Sequence, residues 1–157
     1  MVDEAVKKKK DRETPPDDLF WVVYDRESPR KYESKLHAKA RNKAKKNGVE
    51  IALSNVCFEV WLILHFQPHV GHFDCYDELW KRSALRTHIP NYNKSSGSLF
   101  DALWPNIDNA RNSASNLNKQ TQNGANPEHD APHDWNPYTN VHELLDAIDR
   151  FAAAASK

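Results

Sequence analysis

Two carboxylates two residues apart, Asp25 and Glu27, follow directly on the most strand-like run of the chain, Leu19 to Tyr24 in LFWVVY. That position has a chemical meaning. Open α/β sheets hold their ligands at the carboxyl ends of parallel strands, so acids leaving such a strand for a loop stand where a ligand would be met. Oxygens from both side chains can serve a hard cation such as Mg²⁺, which takes one or two carboxylates and keeps water and substrate phosphate as its other ligands. A metal held there activates water and stabilises the leaving oxygen in phosphodiester cleavage. The plainer alternative is that an Asp and a Glu begin a loop and favour the first turn of the helix that follows. Arg26, between them, is a candidate to contact substrate or to support the acids.

A second cluster lies in SNVCFEVW, where Ser54 and Asn55 are hydrogen-bonding and capping residues and Glu59 stands one turn into an apolar segment. A carboxylate beside Phe58, Val60 and Trp61 needs a defined partner or a functional role. If the two strands are neighbours, Ser54, Asn55 and Glu59 converge on the edge that carries Asp25. The alternative is that Ser54 or Asn55 only caps the helix and Glu59 faces solvent. Cys57 has no activating base fixed near it and reads as a small core residue. His65, His69 and His72 have tolerable ligand spacing, but no CxxC accompanies them, so zinc is disfavoured. The lysines and arginines from Arg30 to Lys46 could guide a nucleic-acid backbone, although a solvated helix face is the commoner meaning. Trp80, Trp104 and Trp135 are expected to pack inside.

The elements that must position these residues follow from patterning. Leu19 to Tyr24 predicts a strand buried on both faces, and Val49 to Leu53 a second. Between them Tyr32, Leu36, Ala40 and Ala44 fall at helical spacing, and Gly48 stands where a C-terminal cap belongs. CFEVWLILHF has the density of a buried helix, so residues 19–66 read as βαβα. Residues 75–118 read as helical, with Pro105 dividing the second helix, 119–137 as a polar loop, and 140–155 as a C-terminal helix with Asn140 as its N-cap. On that helix Val141, Leu144, Leu145, Ile148 and Phe151 share one side. Residues 1–18, with a four-lysine run and a Pro-Pro pair, read as a mobile arm or short solvated helix ahead of a domain spanning 19–157. The class is therefore α/β, a parallel sheet of few strands followed by a helical C-terminal half. Two parallel strands make a poor sheet, and an unpaired apolar edge at Leu19–Tyr24 or Val49–Leu53 invites self-association.

Composition sets the remaining bounds. At 157 residues the chain suits one domain, and 22 basic against 22 acidic residues leave no global field to draw it to nucleic acid or an anionic membrane. The longest near-apolar run is too short to cross a bilayer and contains Glu59. Two cysteines are too few for a disulfide scaffold, and with no signal peptide in view a reducing cytoplasm is the expected setting.

FWVVYDRES, EIALSNVCFEVWLILHF, IPNYNK and NPYTNVHELL resemble, in order and spacing, the RloB-like family found with bacterial restriction and abortive-infection loci. The resemblance covers about residues 18–148, and Ser54 to Phe66 is its most specific part. Members resemble Toprim-type (Rossmann-like) proteins, related to nuclease domains that operate beside phage-defence ATPases. The resemblance implies an acid-bearing sheet that binds Mg²⁺, cleavage of RNA or DNA, and an ATPase partner from a defence operon. Asp25 and Glu27 match the Asp-x-Asp pair of Toprim proteins, while Asn55, Cys57, Phe58, Glu59 and Trp61 match the most recognisable block. This implies metal ligation by Asp25 and Glu27, a catalytic part for Glu59, and supporting or substrate contacts from Ser54, Asn55 and Arg26. Three departures stand out: Glu27 where Asp is usual, Val56 where proline is usual, and no strand with a Glu-Gly-Glu-like motif ahead of Leu19. The expectation is a truncated Toprim-like domain lacking one catalytic acid. The non-catalytic alternative is a module or remnant that docks on the ATPase through its C-terminal helices.

Overall fold

The computed structural model describes residues 1–155, so the last two residues of the expected 19–157 domain lie outside the described part. Strand β1 (Trp21–Asp25) runs parallel to β2 (Glu50–Asn55), with Trp21 opposite Glu50 and Asp25 opposite Ser54. Helix α2 (Ser34–Lys46) makes the crossover between them, as parallel strands require. It closes at Gly48, whose φ of 62° only glycine adopts freely. The expected βαβ unit is therefore present.

A third strand comes from the C-terminal half, where no strand was expected. β3 (Tyr138–Thr139) pairs antiparallel with Ser54 and Asn55 and gives the order β1-β2-β3. Two residues carry no readable periodicity, which is why the loop absorbed them. Asn140 stands at the N-cap position expected of it, its C=O accepting from Glu143 N–H at 3.0 Å, and its side chain also extends this pairing: its Oδ1 accepts from Leu53 N–H at 2.7 Å and its Nδ2 donates to Ile51 C=O at 2.9 Å. A side-chain amide thus stands in for a strand residue along the outer edge of β2.

The core has two parts. The larger gathers α3 (Glu59–Ile63), where Val60 to Leu64 are all at most 4% exposed, with Leu79 of α4 (Tyr76–Arg82) and Leu85 of α5 (Leu85–His88). It also takes in Ala110, Ala114 and Leu117 of α7 (Ile107–Asn123) and Val141 of α8 (Val141–Ala155). Ala110, Ala114 and Leu117 lie one helical turn apart on one stripe, which is why so polar a helix packs. Pro105 divides this region as expected: α6 (Leu99–Leu103) passes through a 3₁₀ turn at Trp104–Asn106 into α7. Helix α7 continues to Asn123, into the segment expected as loop.

The smaller core corrects the reading of the first 18 residues. Their first half is helix α1 (Val2–Lys9), docked through Val2 and Val6 onto Val22, Ala44 and Val49. Asp3 pairs with Lys43 at 2.5 Å and Lys9 Nζ donates to Gly48 C=O at 2.7 Å. Two valines four residues apart suffice for an apolar stripe that the lysine run obscures. The stripe on α2 is also displaced. His37 and Ala44 are buried and Ala40 half-buried, whereas Leu36 and Tyr32 are exposed. On α8, Val141 and Ala147 turn inward and Ile148 and Phe151 outward. Trp104 is exposed too, stacked on Phe100 at 5.2 Å, while Trp80 and Trp135 are half-buried.

These placements predict a graded stability series in urea. Ile63→Ala should cost about 2–5 kcal/mol through an uncollapsed cavity. Asn140→Ala should cost about 1–3 kcal/mol by stranding a buried N–H and C=O of β2. Ile148→Ala should stay within about 0.5 kcal/mol.

Candidate functional site

The parallel ladder outlasts its strands. Arg26 N–H donates to Ser54 C=O at 2.8 Å and Glu27 N–H to Val56 C=O at 2.9 Å, so the chain after β1 is carried alongside the start of α3. The Asp25 carboxylate accepts a hydrogen bond from the backbone N–H of Phe58, one residue before Glu59. Glu59 is fully buried. Its Oε1 accepts from the Tyr92 hydroxyl at 2.7 Å and from Lys94 Nζ at 2.9 Å, while no partner meets its Oε2 among the described residues. Lys94 also lies over the Tyr76 ring, 4.8 Å from its centre.

This setting drives the two acids apart. Burial, and then the charge of Glu59, push the Asp25 carboxyl up to about 6, against the pull of Lys94 and the Phe58 N–H. Burial raises Glu59 as well, but Lys94 first, then Cys57 and Tyr92, outweigh it and hold this carboxyl below its usual range. Burial, followed by the charge of Glu59, pushes the Cys57 thiol well up, which removes it as a nucleophile. Near neutral pH the cluster therefore offers one firmly ionised carboxylate and one that exchanges its proton readily, a division useful in acid–base chemistry.

Glu27 is placed differently. Its backbone adopts the left-handed region, φ 61°, and its Oε1 takes the Lys31 ammonium at 2.6 Å. Among the charges acting on Asp25 it ranks behind Glu59 and Lys94. Asp25 is thus grouped more closely with Glu59, Tyr92 and Lys94 than with Glu27. The turn at Glu27 breaks the alternation that would have set the two acids side by side along an extended strand.

Arg26, Ser54 and Asn55 bind the protein to itself. Buried Arg26 donates to His133 C=O and Tyr32 C=O, both at 2.8 Å, and to Ser34 Oγ at 3.1 Å. Asn55 Nδ2 reaches Trp135 C=O at 2.7 Å and His133 C=O at 3.3 Å. Ser54 Oγ pairs with Thr139 Oγ1 at 2.8 Å. Together they seat the polar loop against the ends of β1 and β2, leaving a cavity of about 570 Å³ lined by Arg26, Glu27, Asn55, His72, His129 and Trp135 among others. Beside it His37 is stacked between Tyr24 and His133, with ring centres at 5.8 and 5.9 Å.

Tyr92 and Lys94 were not singled out from sequence as site residues. Their signal was present in IPNYNK, where two donors alternate on a segment with no helical or strand pattern, but only the fold shows that they meet Glu59. Among the described residues no three His, Cys, Asp or Glu side chains gather closely enough to cage a metal. Mg²⁺ does not require such a cage, because it takes one or two carboxylates and keeps water and phosphate as its other ligands, and Asp25 and Glu27 are the acids that leave the end of β1.

The architecture defines an α/β protein with an acidic cluster at the carboxyl ends of two parallel strands. The chain belongs to the RloB-like protein family, whose pattern it matches over residues 1–148. No curated protein and no solved structure matches it. No helix among the described residues is long and apolar enough to cross a membrane.

The buried histidine beside the site sets an acid response. Burial first, then the charges of Arg26 and His133, push His37 down to about 4. An unfolded His37 binds a proton near 6.5, so between about 6.5 and 4 the unfolded chain holds more protons and stability falls as pH falls. His37→Phe should flatten that part of the Tm–pH curve, and thermal melts from pH 7.5 to 4.5 check it.

Proposed function

We propose that this protein is a Mg²⁺-dependent phosphodiesterase acting on RNA or DNA in a cytoplasmic phage-defence role. The observation that carries the reading is Asp25 at the end of a parallel strand, its carboxyl raised by burial and by the charge of the buried Glu59, in a chain of this family. Asp25, with Glu27 as second carboxylate, would hold the ion, which would supply an activated water and stabilise the leaving oxygen. The chain's own residues do the rest. Tyr92 fixes the Glu59 carboxylate, and Lys94 brings positive charge for a phosphate. Arg26 and Asn55 keep the polar loop seated beside the cluster.

A second reading rests on a different surface. Phe100, Trp104, Ile148 and Phe151 are more than half exposed on the C-terminal helical half, which favours a module that docks on a defence ATPase without catalysing anything itself.

The deciding experiment is Mg²⁺-dependent hydrolysis of a mixed RNA and DNA panel. Asp25→Ala and Glu59→Gln should each lower kcat/KM by about 100-fold or more, and Lys94→Met by about tenfold or more. Glu27→Gln should cost less than Glu59→Gln. A wild-type chain that is folded by circular dichroism yet shows no turnover would leave the docking module as the reading.

A further inference from the structure

The free edge of β1 is an interface in waiting. Glu50 N–H donates to Phe20 C=O and Arg26 N–H to Ser54 C=O, so the even-numbered residues of this stretch turn their peptide groups toward β2. Those of Trp21, Val23 and Asp25 therefore point the other way, and no described strand pairs with them. Its sequence, WVVYD, contains no proline or lysine, and Val23 is 47% exposed. Along the edge runs a groove of about 860 Å³. Met1, Val23, Tyr32 and Leu36, all large and exposed, line it together with Phe58.

We infer that this groove takes the β1 strand of a second copy of the chain, antiparallel, about a two-fold axis through Val23. Charge favours this occupant. Helix α2 runs back beside β1, with His37 stacked on Tyr24 near the carboxyl end and Ala44 packed with Val22 further along. One end of the groove therefore carries Asp25 and Glu27, with Lys31 on Glu27, while Lys39 and Lys43 lie toward the other, where Asp3 pairs with Lys43. A two-fold axis sets each end against the opposite end of its mate. The net charge of zero adds no long-range repulsion. The register follows from the backbone. With Val23 on the axis, the outward peptide groups of Val23 bond to their own copies and those of Trp21 to those of Asp25, joining two three-stranded sheets into one. Each acidic cluster would then sit beside the join.

The test uses the full chain and stands apart from catalytic activity. Sedimentation velocity over about 1–200 µM should show a monomer–dimer equilibrium, which Val23→Lys weakens by about tenfold or more. Because Val23 is half exposed, far-UV circular dichroism and Tm should be unchanged in that variant. In a Cys75→Ala background, Val23→Cys should close a disulfide-linked dimer under mild oxidation, since an opposed hydrogen-bonded pair sits about 5.5 Å apart at Cα. Leu19→Cys, off the axis, should not. A chain monomeric throughout the range overturns the inference. So does a dimer that survives Val23→Lys, which would mark another surface such as the Phe100–Trp104 stack, or a Val23→Cys protein that stays uncrosslinked as a dimer.

Discussion

A carboxylate removed from water must be met by charge or hydrogen bonds inside the protein, because an unpaired buried ion costs more than most domains have in net stability. Glu59 is that group. Tyr92 and Lys94 meet it from a segment with little regular structure, and in doing so fasten that segment across the start of α3. The same contact brings an ammonium into the field of Asp25, where it lowers a carboxyl that burial and Glu59 would raise further. Local structure and candidate chemistry thus depend on one buried charge. Neutralising Glu59 would loosen the Tyr92–Lys94 segment and change the protonation of Asp25 together.

The polar loop obeys a parallel rule. A stretch rich in Asn, His, Asp and Pro cannot hold itself by apolar packing, so it is held by donors from the sheet end. Arg26 and Asn55 converge on the single carbonyl of His133, and Asn118 bonds Thr139 C=O from the side of α7. Desolvation is acceptable to Arg26 because three acceptors surround its guanidinium. Sequence reasoning gave Arg26 and Asn55 supporting or substrate-contacting roles, and in the fold they support the loop that forms one wall of the neighbouring cavity.

What could be read from sequence was what periodicity and density encode. The separate elements of the β1–α2–β2 unit, the buried Val60–Leu64 segment and the division at Pro105 all express themselves in local pattern. The features that escaped notice are long-range. β3 is two residues, meaningful only once Ser54 and Asn55 lie alongside it. Asn140 was legible as the residue that opens the last helix, but the use of its amide along β2 was not, because that partner strand lies far away in sequence. Helix α1 was hidden because two valines settle its docking while lysines dominate its composition. At the site, Asp25 and Glu59 were visible as acids in telling positions, but the grouping was not: Glu27 is two residues from Asp25 in sequence, yet its left-handed backbone and Lys31 draw it aside.

The sheet itself explains why the acids and the exposed edge occur together. Ligands gather at the carboxyl ends of parallel strands, and a parallel strand is normally flanked on both sides. In this chain β2 is flanked by β1 and, at its end, by β3 and the side chain of Asn140, whereas among the described residues β1 has a strand neighbour on one side only. Asp25 therefore stands both at the tip of the sheet and at its open margin. Whatever strand covers that margin will lie beside Asp25 and will further exclude water from it. Covering the edge would therefore also change the surroundings of Asp25.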